Sequence, residues 1–142
     1  MTWKRFLRFH WRALMMSATA LLPMLPMGAA AANLTIIYVG AKDCLPCQVY
    51  EVTDYPQWNR EPAARSVRFI MVKAPLIANA FQARYWPPEA RPYLKSVMFP
   101  AVPLFILIAD GRIVKIVSGL GGWRNQLAPH IPGYVTGEQA LP

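Results

Sequence analysis

"GAKDCLPCQVY" (residues 40–50) contains Cys44 and Cys47, the only two cysteines of the chain. The run before them, "NLTIIYVGA" (residues 33–41), is rich in β-branched residues and almost wholly apolar. This pattern is typical of a central strand covered on both faces. The residues after the pair can open a helix. Three roles are open for the cysteines: a structural disulfide, part of a metal site, or a redox pair.

The chain has 142 residues, of which 55% are hydrophobic. This length and composition predict one domain with its own core and exclude wholesale disorder. The formal net charge is +8, but the first twelve residues contain four of the fifteen Lys and Arg. From Asn33 onward, eleven scattered basic residues stand against seven acidic ones. No basic stripe results, so we expect no nucleic-acid partner.

Residues 1–32 are predicted to be a signal peptide. They combine a basic start, an apolar stretch and the small residues "GAAAA" (28–32) that a signal peptidase requires. An uncleaved membrane anchor is the alternative, because residues 13–32 are long enough to span a bilayer. Membrane contact is then expected through this segment only. Both interpretations place the rest of the chain in a periplasmic or otherwise extracytoplasmic compartment, where disulfides persist.

The remaining residues alternate between strand and helix patterns. We expect a helix over 45–58 with Val49, Val52 and Tyr55 on its apolar face, bent or ended by Pro56. A strand (66–74), a helix (75–86), an irregular proline-rich segment (86–100) and a hairpin turning at Asp110-Gly111 follow. A short helix (121–131) is expected to stop at Pro129 and Pro132. The order predicts an α/β fold with a small mixed sheet and helices on both faces, spanning 33–132, and a loose tail at 133–142.

Two cysteines separated by two residues at the start of a helix are suited to thiol–disulfide chemistry. The first thiol lies where unpaired amides and the helix dipole stabilise a thiolate, and we expect it to be accessible. The second thiol follows one turn later, shielded, and can resolve a mixed disulfide. Pro46 stiffens the turn between them. A strand followed by CxxC and a helix therefore favours a redox pair.

The sequence gives less support to a structural disulfide or to a metal site. A disulfide that closes so short a loop constrains the unfolded chain little. A zinc site needs about four ligands, and Cys44, Cys47 and His130 cannot complete one in a single copy. We therefore expect no metal and no cofactor. Elsewhere, the patterns indicate core positions for Trp58, Trp86, Trp123, Met71 and Met98, and a solvated Lys73 at a strand end.

"IIYVGAKDCLPCQ" (36–48) followed by "AVPLFILIADGRIVKIVSG" (101–119) resembles the thioredoxin family, over roughly residues 34–129. The resemblance implies a thioredoxin-like fold with Cys44 and Cys47 as catalytic residues. It also implies a cis bond between Val102 and Pro103, with the Val102 backbone binding substrate peptide. Gly119 matches the family's glycine after the last strand.

The chain departs from the family at several positions. Asp43 replaces the family's tryptophan before the first cysteine, and Tyr38 holds the position of a buried carboxylate. The Asp43 charge is expected to raise the pKa of Cys44, with Lys42 offsetting part of the effect. The N-terminal strand and helix of a full thioredoxin are missing, and the segment 73–103 is longer. These features indicate a divergent exported relative.

The sequence thus predicts an exported thiol–disulfide oxidoreductase that reduces or exchanges disulfides in envelope proteins. Its partners would be protein thiols and disulfides, with a membrane electron donor as one means of recharging it. Asp43, Leu45 and Pro46 would tune the pair, and because Leu45 and Pro46 supply no cation, a very strong oxidant is not expected. The alternative is a redox-inactive binding or chaperone-like module with a structural Cys44–Cys47 disulfide.

Overall fold

A four-stranded mixed sheet forms the centre of the computed structural model, which describes residues 32–139. Its order is β2-β1-β3-β4; β1 and β2 run parallel, whereas β1–β3 and β3–β4 are antiparallel. The strands are β1 (Leu34–Ala41), β2 (Val67–Ala74), β3 (Leu104–Ala109) and β4 (Arg112–Ser118). The predicted strands and hairpin are confirmed. Residues 1–31 of the predicted signal peptide and residues 140–142 lie outside the described part.

The sheet separates two hydrophobic cores. Alternate residues of β1 and β3 face opposite sides, so Tyr38 and Phe105 belong to one core and Ile37 and Ile106 to the other. Since both central strands are buried on both faces, they have the near-continuous apolar character that the sequence shows.

The turn between β3 and β4 has two residues with positive φ. Asp110 has φ 49° and Gly111 has φ 78°. Two such residues form the type I′ turn whose twist matches an antiparallel hairpin, and Asp-Gly is among its favoured sequences. The local sequence therefore determined this connection.

Helices cover the face of the sheet that carries Tyr38 and Phe105, which we call the first face, and the core beneath them is the first core. One helical segment follows the cysteines and a second follows β4. The first segment consists of α1 (Leu45–Val49), a π-turn (Tyr50–Asp54) and α2 (Tyr55–Trp58). The second consists of α4 (Gly119–Gly121), a π-turn (Gly122–Leu127), a 3-10 turn (Ala128–His130) and α5 (Ile131–Thr136).

The first helical segment has the predicted bounds, 45–58, with a wider turn before Pro56, whereas Pro129 and Pro132 do not stop the second segment as predicted. The Tyr55 N–H donates to the carbonyl of Tyr50, five residues back, and the wider turn directly precedes Pro56, which has no amide hydrogen to donate. The helix continues to Trp58. In the second segment the chain passes Pro129 and Pro132 into α5, where Tyr134 is buried. The tail expected to be loose from residue 133 is therefore helical and packed to Thr136.

Short turns cover the second face. Two 3-10 turns (Ile77–Asn79 and Ala83–Tyr85) and the one-turn helix α3 (Arg91–Leu94) lie in the segment between β2 and β3. The helix predicted over 75–86 is wrong. The indole Nε1 of Trp86 donates to the Ala80 carbonyl at 2.9 Å. That carbonyl would otherwise accept the amide of residue 84 in an α-helix, so the chain folds around the Trp86 ring instead.

The burial of individual residues corrects two further predictions. Val52, expected on the apolar face of the first helical segment, is exposed, whereas Cys47, Tyr50 and Trp58 are buried. Met98, expected in the core, is also exposed, whereas all three tryptophans named above are buried. The predicted fold class, an α/β fold with a small mixed sheet, is confirmed, although the helices expected on the second face are only short turns and one single-turn helix. Within residues 32–139, no helix combines the length and apolar character needed to cross a bilayer.

Candidate active site

One end of the sheet brings four loops together. The parallel strands β1 and β2 both end there. Because β3 runs antiparallel to its two neighbours, β3 begins and β4 ends at the same place. In register, Leu104 pairs with Val39 on one side and with Ser118 on the other. The cysteine motif, the loop after β2, Val102-Pro103 and Gly119 therefore share this end.

Cys44 and Cys47 form a disulfide with an S–S distance of 2.06 Å. Cys44 is the N-cap of α1, with extended backbone, and its Sγ accepts a hydrogen bond from the Cys47 N–H at 3.2 Å. A sulfur at this place faces the unpaired amides of the first helical turn, which favour negative charge. The predicted helix-start geometry is confirmed.

Neither sulfur-bearing residue is open to solvent in this state. Cys44 is 2% exposed and Cys47 is 0% exposed. The accessible Cys44 that the sequence predicted is therefore not seen in the oxidised form, because the disulfide joins it to Cys47 within the first core. The flanking Leu45 and Pro46 are exposed.

The loop before β3 lies against this disulfide-containing core. The Val102–Pro103 peptide bond is cis, as predicted. Val102 is half-buried and packs against both cores, including the one that contains the cysteines. The Pro103 carbonyl accepts the Gly119 N–H at 2.8 Å, and Gly119 has φ 73°. A residue with a side chain is strained at such a φ, so glycine suits this position.

A polar network lies beneath the helix that carries the cysteines. The hydroxyl of the buried Tyr38 donates to Glu51 Oε1 at 2.9 Å, and Lys73 Nζ lies 2.6 Å from Glu51 Oε2. Burial first, and then the Glu51 carboxylate, raise the pKa of Tyr38 above its ordinary range. Lys73 is thus paired and not simply solvated. Glu51 follows Cys47 by four residues, one helical turn, but this spacing does not pair Glu51 with Tyr38 or Lys73.

Aromatic rings of the first core pack against Tyr50, which lies in the helical segment after Cys47. The Tyr50 ring centroid lies 4.9 Å from that of Tyr38, 4.7 Å from Phe105 and 5.2 Å from Trp123. The latter two contacts are edge-on, an arrangement that aromatic pairs favour. Packing on three sides holds the helix after Cys47 against the sheet.

Asp43 makes a contact that the sequence did not predict. Its Oδ1 accepts the backbone N–H of Ile77 at 2.8 Å. The carboxylate therefore binds the loop after β2. Its expected electrostatic effect on Cys44 stays a prediction.

Among residues 32–139, no group of three or more His, Cys, Asp and Glu side chains is arranged to hold a metal ion. His130 is exposed and lies in the 3-10 turn of the second helical segment, outside the sheet end that carries the cysteines.

Solved structures with the same architecture identify the fold. The thioredoxin of Malassezia sympodialis superposes with a TM-score of 0.52 at 19% identity, covering 72% of this chain and 78% of its own. A mutant thioredoxin from Halobacterium salinarum gives a TM-score of 0.50 at 23% identity, covering 78% and 79%. The chain has the thioredoxin fold. No protein-family model matches the sequence, and no curated protein matches it.

Within this thioredoxin fold, the predicted site residues fall at one place. Asp43, Cys44, Leu45, Pro46 and Cys47 form the turn into α1, and Val102-Pro103 reaches the same end of the sheet through the pairing of β1 with β3. Tyr38 holds the position predicted for a buried carboxylate, but Glu51 and Lys73 were missed, since their pairing depends on strand register and helix placement.

Proposed function

We propose that the chain is an exported thiol–disulfide oxidoreductase whose Cys44–Cys47 pair reduces or exchanges disulfides in envelope proteins. The observation that carries the proposal is the Cys44 Sγ at a helix start, where it accepts the Cys47 N–H. After reduction, the same amide stabilises a Cys44 thiolate, the nucleophilic form of the residue.

The reaction is a two-step exchange. The Cys44 thiolate attacks one sulfur of a substrate disulfide, a mixed disulfide forms, and the other substrate sulfur leaves as a thiolate that takes up a proton. The Cys47 thiol then loses its proton and attacks Cys44, which releases the second substrate thiolate and restores the Cys44–Cys47 bond. Two electrons pass from the pair to the substrate, and a dithiol donor protein returns them.

Val102 and Pro103 form the substrate-docking edge in this proposal. The last paired residues of β1 and β3 are Val39 and Leu104, so the Val102 backbone lies beyond the sheet ladder. We expect its polar groups to pair with an extended substrate segment, as an unpaired strand edge does. The packing of Val102 against the cysteine-containing core supports this role.

The proposed direction is reduction or isomerisation. Leu45 and Pro46 bring no cation to the turn between the two cysteines. A strong oxidant needs a strongly stabilised thiolate. We therefore expect titration against glutathione to give a potential well below the roughly −120 mV of strong envelope oxidants. A membrane electron donor is the proposed source of electrons.

The decisive test traps the mixed disulfide. Cys47→Ser should accumulate a covalent adduct with a reducible protein substrate, because Cys44 attacks and nothing resolves the intermediate. Cys44→Ser is the matched control and should form no such adduct. Equal trapping by both variants, or by neither, would contradict the assigned roles.

A redox-inactive binding module is the second candidate, and the burial of Cys44, 2% exposed in the disulfide form, favours it. In that case excess dithiothreitol should leave the folded protein's disulfide intact while the chain still binds unfolded polypeptides. Ready reduction in the folded state would exclude it.

Export is proposed from the first 32 residues. We expect the mature protein outside the cytoplasm, with its N-terminus between Ala31 and Asn33, as N-terminal sequencing would determine. Met1 retained in a membrane fraction would support the uncleaved anchor.

A further inference from the structure

A cleft of about 370 Å³ lies between the two helical segments of the first face. One wall contains Asp54, Trp58 and Glu61, from the first helical segment and the loop that follows it. The other wall contains Trp123 and Arg124, from the second segment. The volume lies within the range of about 300–1,000 Å³ that is usual for ligand sites.

This cleft is separate from the cysteine pair. Cys44 caps the start of the first helical segment, whereas the cleft begins at Asp54, in the second half of that segment. Residues 45–58 span about 20 Å as a helix. Neither the cysteine motif nor Val102-Pro103 lines the cleft. A ligand bound there therefore leaves the proposed substrate-docking edge free.

Two indole N–H groups of the cleft have no acceptor within the described part of the chain. Trp58 and Trp123 are 5% and 3% exposed, and Trp86 is the tryptophan of residues 32–139 whose Nε1 is bonded within the protein. In the same part, the Tyr50 hydroxyl is the only side-chain polar atom that is both sealed from solvent and unpaired. Solvent therefore reaches the Trp58 and Trp123 nitrogens. Because both rings line the cleft and are otherwise buried, these N–H groups open into it.

Two such donors require a ligand with acceptor oxygens. An indole nitrogen donates a hydrogen bond and never accepts one, so it pairs with a carbonyl or with a carboxylate.

The charges of the cleft favour a carbonyl over a carboxylate. Asp54 is neutralised by two hydrogen bonds from Arg124, whereas Glu61 forms no ion pair among residues 32–139. The neighbouring Arg60 and Arg65 do not line the cleft. Two carboxylates and one guanidinium thus leave one negative charge in excess, which repels a carboxylate and attracts a cation.

We propose that the cleft binds an extended peptide segment of another protein, and that this segment carries a lysine or an arginine. Its backbone carbonyls accept the indole N–H groups of Trp58 and Trp123, and its basic side chain pairs with Glu61. An extended segment suits the cleft because its carbonyls have no partner of their own. Pro129 and Pro132, which also line the cleft, offer apolar surface to the aliphatic stem of the basic side chain. The site does not depend on the proposed oxidoreductase function.

The test is a titration of the ¹⁵N-labelled protein with three blocked pentapeptides, in which arginine, glutamine or glutamate stands between alanines. The indole N–H resonances of Trp58 and Trp123 report on the two donors, and that of Trp86, already bonded to Ala80, is the internal control. We expect the arginine peptide to shift the first two resonances and not the third. Its affinity should exceed that of the glutamine peptide by about two- to fivefold, and the glutamate peptide should bind least.

Variants separate the charge from the donors. Glu61→Gln should abolish the difference between the arginine and glutamine peptides, whereas Glu89→Gln, at an exposed carboxylate outside the cleft, should preserve it. Trp58→Phe removes one donor and should weaken binding of both peptides by about two- to tenfold. The Trp86 resonance shows whether this variant is folded, and Glu61→Gln decides the charge preference independently of it.

An arginine peptide that shifts neither the Trp58 nor the Trp123 resonance would overturn the proposal, as would equal affinity for the glutamate peptide. Sodium acetate is the fourth probe. If acetate shifts both resonances and the arginine peptide does not, the cleft takes a small carboxylate instead. Disulfide turnover is measured separately, so a protein without turnover that still gives the expected shifts would refute the proposed function and leave this site standing.

Discussion

At the scale of single residues, Gly40 determines where Tyr38 can lie. The Tyr38 side chain leans along β1 over Gly40, so that a Cβ added there would lie 2.6 Å from Tyr38 Cζ and closer still to its hydroxyl. This placement lets the hydroxyl reach Glu51, on the helix above the strand. The cross-strand partner of Gly40 is Lys73, the other residue that pairs with Glu51.

Gly40→Ala should therefore destabilise the protein. In a strand, alanine is ordinarily the better residue, by roughly 0.5–1 kcal/mol. Here we expect the overpacking to dominate and to lower the free energy of unfolding by about 1–3 kcal/mol, measured by urea denaturation.

Gly121→Ala is the matched control for this substitution. Gly121 lies in a helical segment with φ −64°, and an added Cβ would meet only Asn125 Nδ2, at 3.8 Å. This variant should be more stable than the native protein by about 0.5–1 kcal/mol. Stabilisation by both changes would mean that Tyr38 moves aside freely, contrary to the packing described.

At the scale of elements, an ion pair joins the two helical segments of the first face. Arg124 Nε lies 2.7 Å from Asp54 Oδ1, and Arg124 Nη2 lies 2.8 Å from Asp54 Oδ2. The Arg124 hydrogen bonds lower the pKa of Asp54, and partial burial opposes them. Because the two residues are 70 positions apart, this contact forms only when both segments are folded against the sheet.

Asp54→Asn should lower the free energy of unfolding at neutral pH by about 0.5–1 kcal/mol. The lowered pKa means that the native state favours the ionised carboxylate, so the stabilisation is present above the unfolded-state pKa. It is lost as the pH falls through the folded-state pKa. The free energies of unfolding of the two proteins, measured by denaturation between pH 7 and pH 2, should therefore differ less as the pH falls.

Glu89→Gln provides the comparison. It removes the charge of Glu89 from its pair with Arg68, whose two side chains are well exposed. Its effect at neutral pH should be smaller than that of Asp54→Asn. A constant difference between Asp54→Asn and the native protein across the pH range would show that ionisation of Asp54 does not contribute.

At the scale of the whole molecule, the two faces of the sheet are covered in different ways. Helical segments cover the first core, whereas an irregular chain with three short turns covers the second. Trp86 anchors this irregular chain. It is among the largest fully buried side chains, and its Nε1 bonds the Ala80 carbonyl.

Trp86→Ala should lower the free energy of unfolding by about 3–5 kcal/mol, because it leaves a large cavity under a segment with little regular structure. Trp86→Phe keeps much of the ring and loses the hydrogen bond, so its cost should be lower. Phe99→Ala, at an exposed position of the same segment, should change stability by less than about 0.5 kcal/mol. Chemical denaturation of the three variants ranks them, and a Trp86→Ala protein as stable as Phe99→Ala would contradict this role.

Features that depend on neighbouring residues could be predicted from the sequence. The apolar runs of β1 and β3 predict buried strands, Asp110-Gly111 predicts the hairpin, and Cys44 with Cys47 predicts a dithiol at a helix start. Each of these depends on backbone preferences and burial within a few residues, which local composition reports directly.

Contacts between side chains that are distant in sequence could not be predicted in this way. The stripe over 75–86 has helical spacing, yet Trp86 takes the Ala80 carbonyl and the helix does not form. Asp43 is next to Cys44 in the sequence, but its carboxylate accepts the N–H of Ile77 from another loop. Glu51 meets Tyr38 only because a helix crosses a strand. Periodicity records which residues avoid water, but a hydrogen-bond partner distant in sequence is set by strand register and helix placement, and these exist only after the chain has folded.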